Sequence, residues 1–173
     1  MLLSIIIAQN QELIIIKVEF DMKIFLGAPI QQVQNQDGLV MPNVKSMIEY
    51  IIETLQKEHN QVFSAHVEEE FGRVTESFSD EDICKRDYKW MNECDTYIAV
   101  FPNDAKNKMI QSAGTNVELG WATTLNKEIV LIYDFSKKQQ LSKLVRGLQG
   151  IAHVKCIDLN EVMKDAHSLT QTL

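Results

Sequence analysis

Two stretches of the chain leave little freedom in what it can fold into. Residues 96–101 read Thr-Tyr-Ile-Ala-Val-Phe, and residues 128–133 read Glu-Ile-Val-Leu-Ile-Tyr. Each is a nearly continuous apolar run of strand length, without the polar alternation of a sheet that has one wet face. Such runs belong to strands covered on both faces, which a parallel sheet with helices above and below provides. Val44, Met47, Ile48, Ile51, Ile52 and Leu55 recur at helical spacing and predict an amphipathic helix over 43–58. Further strands are expected at 23–26, 61–65 and 153–157. Further helices are expected from Asp80, as a cap, through Met91, and over 115–125, 141–148 and 161–169. Residues 31–42 read as a loop, and 102–111 as a long loop able to form a lid. The alternation gives an α/β, doubly wound, mostly parallel five-stranded sheet with helices on both faces, flavodoxin- or Rossmann-like.

A length of 173 residues suits one domain. Residues 1–22 read as an N-terminal extension and a possible extra strand or hairpin, or as the product of a start placed ahead of Met22; 23–173 form the single domain. The apolar runs 1–8 and 13–18 are broken by Gln9-Asn10-Gln11-Glu12 and are too short to span a bilayer. No Lys or Arg precedes them, as a signal peptide would require. A net charge of −7 argues against general nucleic-acid or anionic-membrane binding, so neither is expected as a partner. Cys84, Cys94 and Cys156 form no CxxC and read as small buried side chains in a reducing cytoplasm.

Ligands of such sheets sit beyond the carboxyl ends of the strands. Those ends are Gly27-Ala28-Pro29 and the loops after Phe101 and Tyr133. Glu118 lies one turn into a helix that starts near Gly114, where the dipole keeps a carboxylate ionised. A fixed, ionised carboxylate suits a nucleophile at a sugar C1; the plain alternative is a first-turn acid that only favours the dipole. Asp87 is an acid at an apolar helical spacing, suited to deliver a proton, or else a surface acid paired with Lys85, Arg86 or Lys89. Ser112 and Ser142 sit at helix starts, as anion binders or as plain N-caps. His66 reads as a strand-end histidine and Glu68-Glu69-Glu70 as a solvated face, with no His converging to make a metal site. Trp90 and Trp121 read as core. Gly27 belongs to no GxGxxG, so no dinucleotide site is indicated. No metal and no cofactor are expected.

The segments 23–29 (Lys-Ile-Phe-Leu-Gly-Ala-Pro), 85–91 around Asp87, 94–100 (Cys-Asp-Thr-Tyr-Ile-Ala-Val), Ser112-Ala113-Gly114 and 117–122 (Val-Glu-Leu-Gly-Trp-Ala) together resemble the nucleoside 2-deoxyribosyltransferase-like superfamily. The resemblance spans about residues 23–150. It implies a retaining double displacement, with Glu118 as nucleophile at C1′ and Asp87 as the acid contacting base or sugar. It implies substrate contacts at Phe25, Gly27, Ala28, Ser112, Gly114 and Asn116, and at Ser142 from a neighbouring subunit, hence a homodimer with shared sites. Transferases of the superfamily usually carry an acid where Ser112 stands; the 5′-monophosphate N-hydrolases carry Ser. The expected activity is therefore hydrolysis of a (deoxy)ribonucleoside 5′-monophosphate in the cytoplasm. Base exchange by a 2-deoxyribosyltransferase and a non-catalytic nucleotide-binding module are the alternatives. The chain departs from the hydrolases in having no Arg in the loop after the first strand, and Ile24-Phe25 where they have a tyrosine.

Overall fold

The computed structural model describes residues 2–9, 12–19, 21–165 and 167–173, with side chains from Asp21 onward. Strands β1 (Leu2–Gln9) and β2 (Glu12–Glu19) pair antiparallel in a two-stranded sheet of their own. The nature of their side-chain packing, on which the reading of 1–22 as an extension depends, lies outside the described residues. The main sheet follows. It comprises β3 (Lys23–Gly27), β4 (Gln61–Phe63), β5 (Thr96–Phe101), β6 (Glu128–Tyr133) and β7 (Val154–Asp158) in the order β4-β3-β5-β6-β7. Every pairing in it is parallel. Counted along the main sheet alone the order is 2-1-3-4-5, so the winding reverses between β3 and β5.

Because neighbouring strand residues face opposite ways, β5 serves two cores at once. Ile98 and Val100 pack with Ile24 and Leu26 against α1 (Pro42–Lys57), whose six periodic apolar residues are all buried. Each such burial contributes about 1.5–3 kcal/mol. Tyr97, Ala99 and Phe101 face the other layer with Phe25, Leu131 and Tyr133. That layer is made by α3 (Asp80–Glu93), α4 (Ala113–Thr124) and α5 (Lys143–Gly147), through Met91, Leu119, Ala122 and Val145. The one-turn helix α2 (Ala65–Glu68) follows β4.

Local details differ from the sequence expectations for identifiable reasons. Asp80 does not cap α3; Ser79 does, its Oγ accepting from the Asp82 amide at 3.1 Å. The expected helix over 161–169 is two helices, α6 (Leu159–Lys164) and α7 (His167–Thr170), because Asp165 is extended (φ −152°). The loop over 102–111 is tied down rather than poised as a lid. Asn103 bridges Met109, the Met109 amide donates to Gln140, and the buried Lys137 ammonium donates to Asn107 at 2.5 Å while pairing with Asp134 at 2.7 Å. Cys84 is exposed, against expectation, because it lies on the outer side of α3; Cys94 is buried and Cys156 half-buried, and all three are free. No helix among the described residues is long and apolar enough to cross a membrane.

Candidate active site

At the reversal between β3 and β5 a pocket of about 210 Å³ opens. Its walls bring together Gly27, Ala28, Asp87, Ser112, Gly114 and Glu118, six residues drawn from three separate segments. Glu118 is half-buried, one turn into α4. The Tyr97 hydroxyl, rising from β5, donates to Glu118 Oε2 at 2.5 Å. Gly27 lies directly beneath. A Cβ there would stand 2.3 Å from the Tyr97 hydroxyl and 2.4 Å from Glu118 Oε2. The missing side chain is thus what lets the carboxylate lie across the strand end.

Burial drives the electrostatics. Withdrawal from water pushes Glu118 up to about 7, the Tyr97 hydrogen bond opposing this and the nearby Asp87 adding to it. Tyr97, wholly buried, is held well above its ordinary value by desolvation and by the Glu118 charge, so it stays a donor at neutral pH. Asp87 is 7% exposed and its carboxyl is raised above the usual range, again chiefly by burial, against the pull of Arg86.

Asp87 is not the surface acid of the plain alternative: it is buried, paired with Arg86, whose Nε donates to its Oδ1 at 2.9 Å, and it lines the pocket. The expectation that Glu68-Glu69-Glu70 form a solvated face fails at its centre. Glu68 and Glu70 are exposed, but Glu69 is 2% exposed and receives Arg86 Nη2 at 2.8 Å and the Thr75 hydroxyl at 2.8 Å. His66 is buried too, in α2 rather than at a strand end, and burial lowers it to about 4.

Two expected contacts, Phe25 and Asn116, stand elsewhere, and Ser142, expected to serve a neighbouring subunit, lies outside its own chain's pocket. Phe25 has no exposed surface; its ring packs edge-on against Tyr97 and Trp90 beneath the pocket. Asn116 is exposed on α4 and Ser142 is exposed at the start of α5; neither lines the pocket of its own chain. Both serines cap their helices: Ser112 Oγ accepts from the Thr115 amide at 3.0 Å, Ser142 Oγ from the Val145 amide at 3.2 Å. Trp90 stacks on Phe63 at 5.8 Å, as a core residue. Tyr97 was not among the candidates, although a lone hydroxyl in a fully buried strand must find an acceptor, and that is the signal that points to it.

The family model for nucleoside 2-deoxyribosyltransferase matches residues 38–164. The chain belongs to the nucleoside 2-deoxyribosyltransferase family. Among solved structures it is similar to a CMP N-glycosidase from Clostridium botulinum, BcmB, at 24% identity and TM-score 0.59, over 87% of this chain and 99% of that one. It is also similar to BlsM, at 26% identity and TM-score 0.63, over 82% and 84% of the two chains. A conserved protein from Enterococcus faecalis V583 shares the fold at 15% identity and TM-score 0.53, over 88% and 99%. A search of curated proteins finds no match. The family is named for the transfer of 2-deoxyribosyl groups of nucleosides, which are small molecules.

Proposed function

We propose that this family member hydrolyses the N-glycosidic bond of a (deoxy)ribonucleoside 5′-monophosphate, releasing free base and (deoxy)ribose 5-phosphate. The observation that carries the reading is the Glu118 carboxylate, held by Tyr97 over the bare backbone of Gly27, in one pocket with Asp87. A Glu118 oxygen attacks C1′. The bond to the base breaks, its electron pair goes to the base nitrogen, and Asp87 supplies the proton there. Water, giving a proton back to Asp87, then attacks C1′ of the glycosyl-Glu118 ester, restoring the carboxylate and giving the sugar phosphate. Ser112 beside the pocket leaves room for a phosphate that an acid would repel. Ser142, outside the pocket of its own chain, is available to a partner's site in a homodimer. The three free cysteines suit a reducing cytoplasm, and residues 23–173 carry the site as one domain.

The test is chromatography after incubation with a mixture of ribo- and deoxyribonucleoside monophosphates. Free base and sugar phosphate are expected; no base after hours would end the proposal.

A second reading, base exchange on unphosphorylated nucleosides, is favoured by one observation. Among the described residues, the charged ones lining the pocket are Glu69, Asp87 and Glu118, with no cation. Ser112→Asp discriminates. On the hydrolase reading it raises KM for a monophosphate about tenfold or more, since a like charge meets the phosphate, and spares any activity on the unphosphorylated nucleoside. An unchanged KM would place the phosphate elsewhere.

Tyr97→Phe removes the donor that favours the Glu118 anion. Activity that needs ionised Glu118 falls as pH drops through about 7 in the parent protein. In Tyr97→Phe that acid limb of the pH–rate profile moves upward. A limb that stays put would mean that Tyr97 does not govern Glu118.

A further inference from the structure

In the wall of the pocket lies an ion cluster of which the reaction above uses only Asp87 directly. Arg86 donates through Nε to Asp87 Oδ1 at 2.9 Å and through Nη2 to Glu69 Oε1 at 2.8 Å. Its guanidinium carbon stands 4.9 Å over the Trp90 ring and 5.5 Å over the Phe78 ring. A guanidinium fork held by two carboxylates and two aromatic rings has little freedom left. Asp87 Oδ2 has no hydrogen-bond partner among the described residues, and Asp87 lines the pocket where Arg86 does not. Resting on the function proposed above, we propose that Arg86 is the positioning residue for Asp87, fixing the carboxylate by Oδ1 so that Oδ2 is left to meet the substrate.

The turn that delivers Glu69 supports this. Glu70 and Phe71 both take left-handed backbone conformations (φ 47° and 56°), which ordinary side chains rarely adopt. Gly72 follows at φ 99°, and a Cβ on it would lie 2.4 Å from the Gly38 carbonyl oxygen. Strain of this kind persists where surrounding contacts impose it, and it clusters at functional sites. Here the turn directly follows the buried carboxylate that anchors Arg86, and Thr75 holds the other Glu69 oxygen.

The charged and titratable groups facing Asp87 are Arg86 on its own helix, Glu69 from the segment after α2, Glu118 from α4 and Tyr97 from β5. Carboxyl-13C NMR of aspartate-labelled protein reads the Asp87 titration, with Asp87→Asn identifying its signal. In Arg86→Met the signal titrates at higher pH than in the parent protein, because the cation favouring the anion is gone. In Glu69→Gln it titrates at lower pH, because a neighbouring negative charge is gone and Arg86 is freed to pair more fully with Asp87. On a monophosphate substrate, Arg86→Met lowers kcat about 10- to 100-fold with a smaller change in KM, the mark of a misplaced group rather than lost binding. Arg86→Lys keeps the charge without the fork and recovers the titration more than the kcat. An Asp87 signal that titrates identically in the parent protein and in Arg86→Met overturns the proposal. Should Arg86→Met fail to fold, an unmoved signal in Glu69→Gln overturns it equally. The NMR readout stands even if the parent protein releases no base, a result that would sink only the proposed activity.

Discussion

Glu118→Gln is expected to cut base release by on the order of 10^4-fold or more, because no other pocket carboxylate lies where the Tyr97 hydroxyl and the Gly27 backbone converge. The same substitution is expected to stabilise the fold at alkaline pH. Burial raises the Glu118 carboxyl from an ordinary 4.5 to about 7, so between those values the folded protein keeps a proton that the unfolded chain has released. Stability is therefore greatest below about pH 4.5 as far as this group is concerned, and declines as pH rises towards 7. Glutamine carries no such penalty. Urea unfolding at pH 8 is expected to find Glu118→Gln more stable by about 2–3 kcal/mol, with the difference vanishing near pH 4. A variant less stable at pH 8 would mean that the parent carboxylate is comfortably ionised, and the electrostatic account of the pocket would fail.

The second large effect is expected from the smallest change. Gly27→Ala adds one methyl group where the hydroxyl of Tyr97 and Oε2 of Glu118 already stand, at 2.3 and 2.4 Å. Tyr97 has no exposed surface and its ring is packed against Phe25, so it cannot yield. The Glu118 side chain, half-buried at the pocket, is the part able to move. The carboxylate then swings away from its donor, and a displacement of this size costs about 100-fold in kcat. Overpacking adds about 1–3 kcal/mol of destabilisation. Steady-state kinetics beside a thermal melt separates the two: a folded protein with intact KM and lowered kcat is the expected pattern. Full activity in Gly27→Ala would show that the carboxylate does not work from the position it occupies here.

The parts of this protein that sequence reasoning reaches are those governed by local pattern. The strands at 96–101 and 128–133 need only their unbroken apolar character, and α1 follows from six residues on one stripe. Their parallel pairing follows from the helices between them. Gly27, Asp87, Ser112 and Glu118 were legible because a wound sheet gathers its strand ends at one crevice, and they do share a pocket. What escaped was long-range. Glu69 looked solvated within a run of three acids, since its partner Arg86 lies 17 residues on and only the turn at 70–72 brings them together. The break at Asp165 splits a helix that periodicity alone would continue. The resemblance assigns Phe25 to the substrate, yet alternation along β3 turns it into the layer beneath α3. Tyr97 hid inside an apolar run, where its ring reads as core and its hydroxyl goes unnoticed.

Positions 25 and 97 face each other across the register of β3 and β5, one phenylalanine and one tyrosine. A phenolic oxygen required at a given point in space is therefore reachable from either of two adjacent backbones. Here β5, the central strand of the sheet, supplies it. Catalytic parts in wound sheets of this kind are better compared by location than by column.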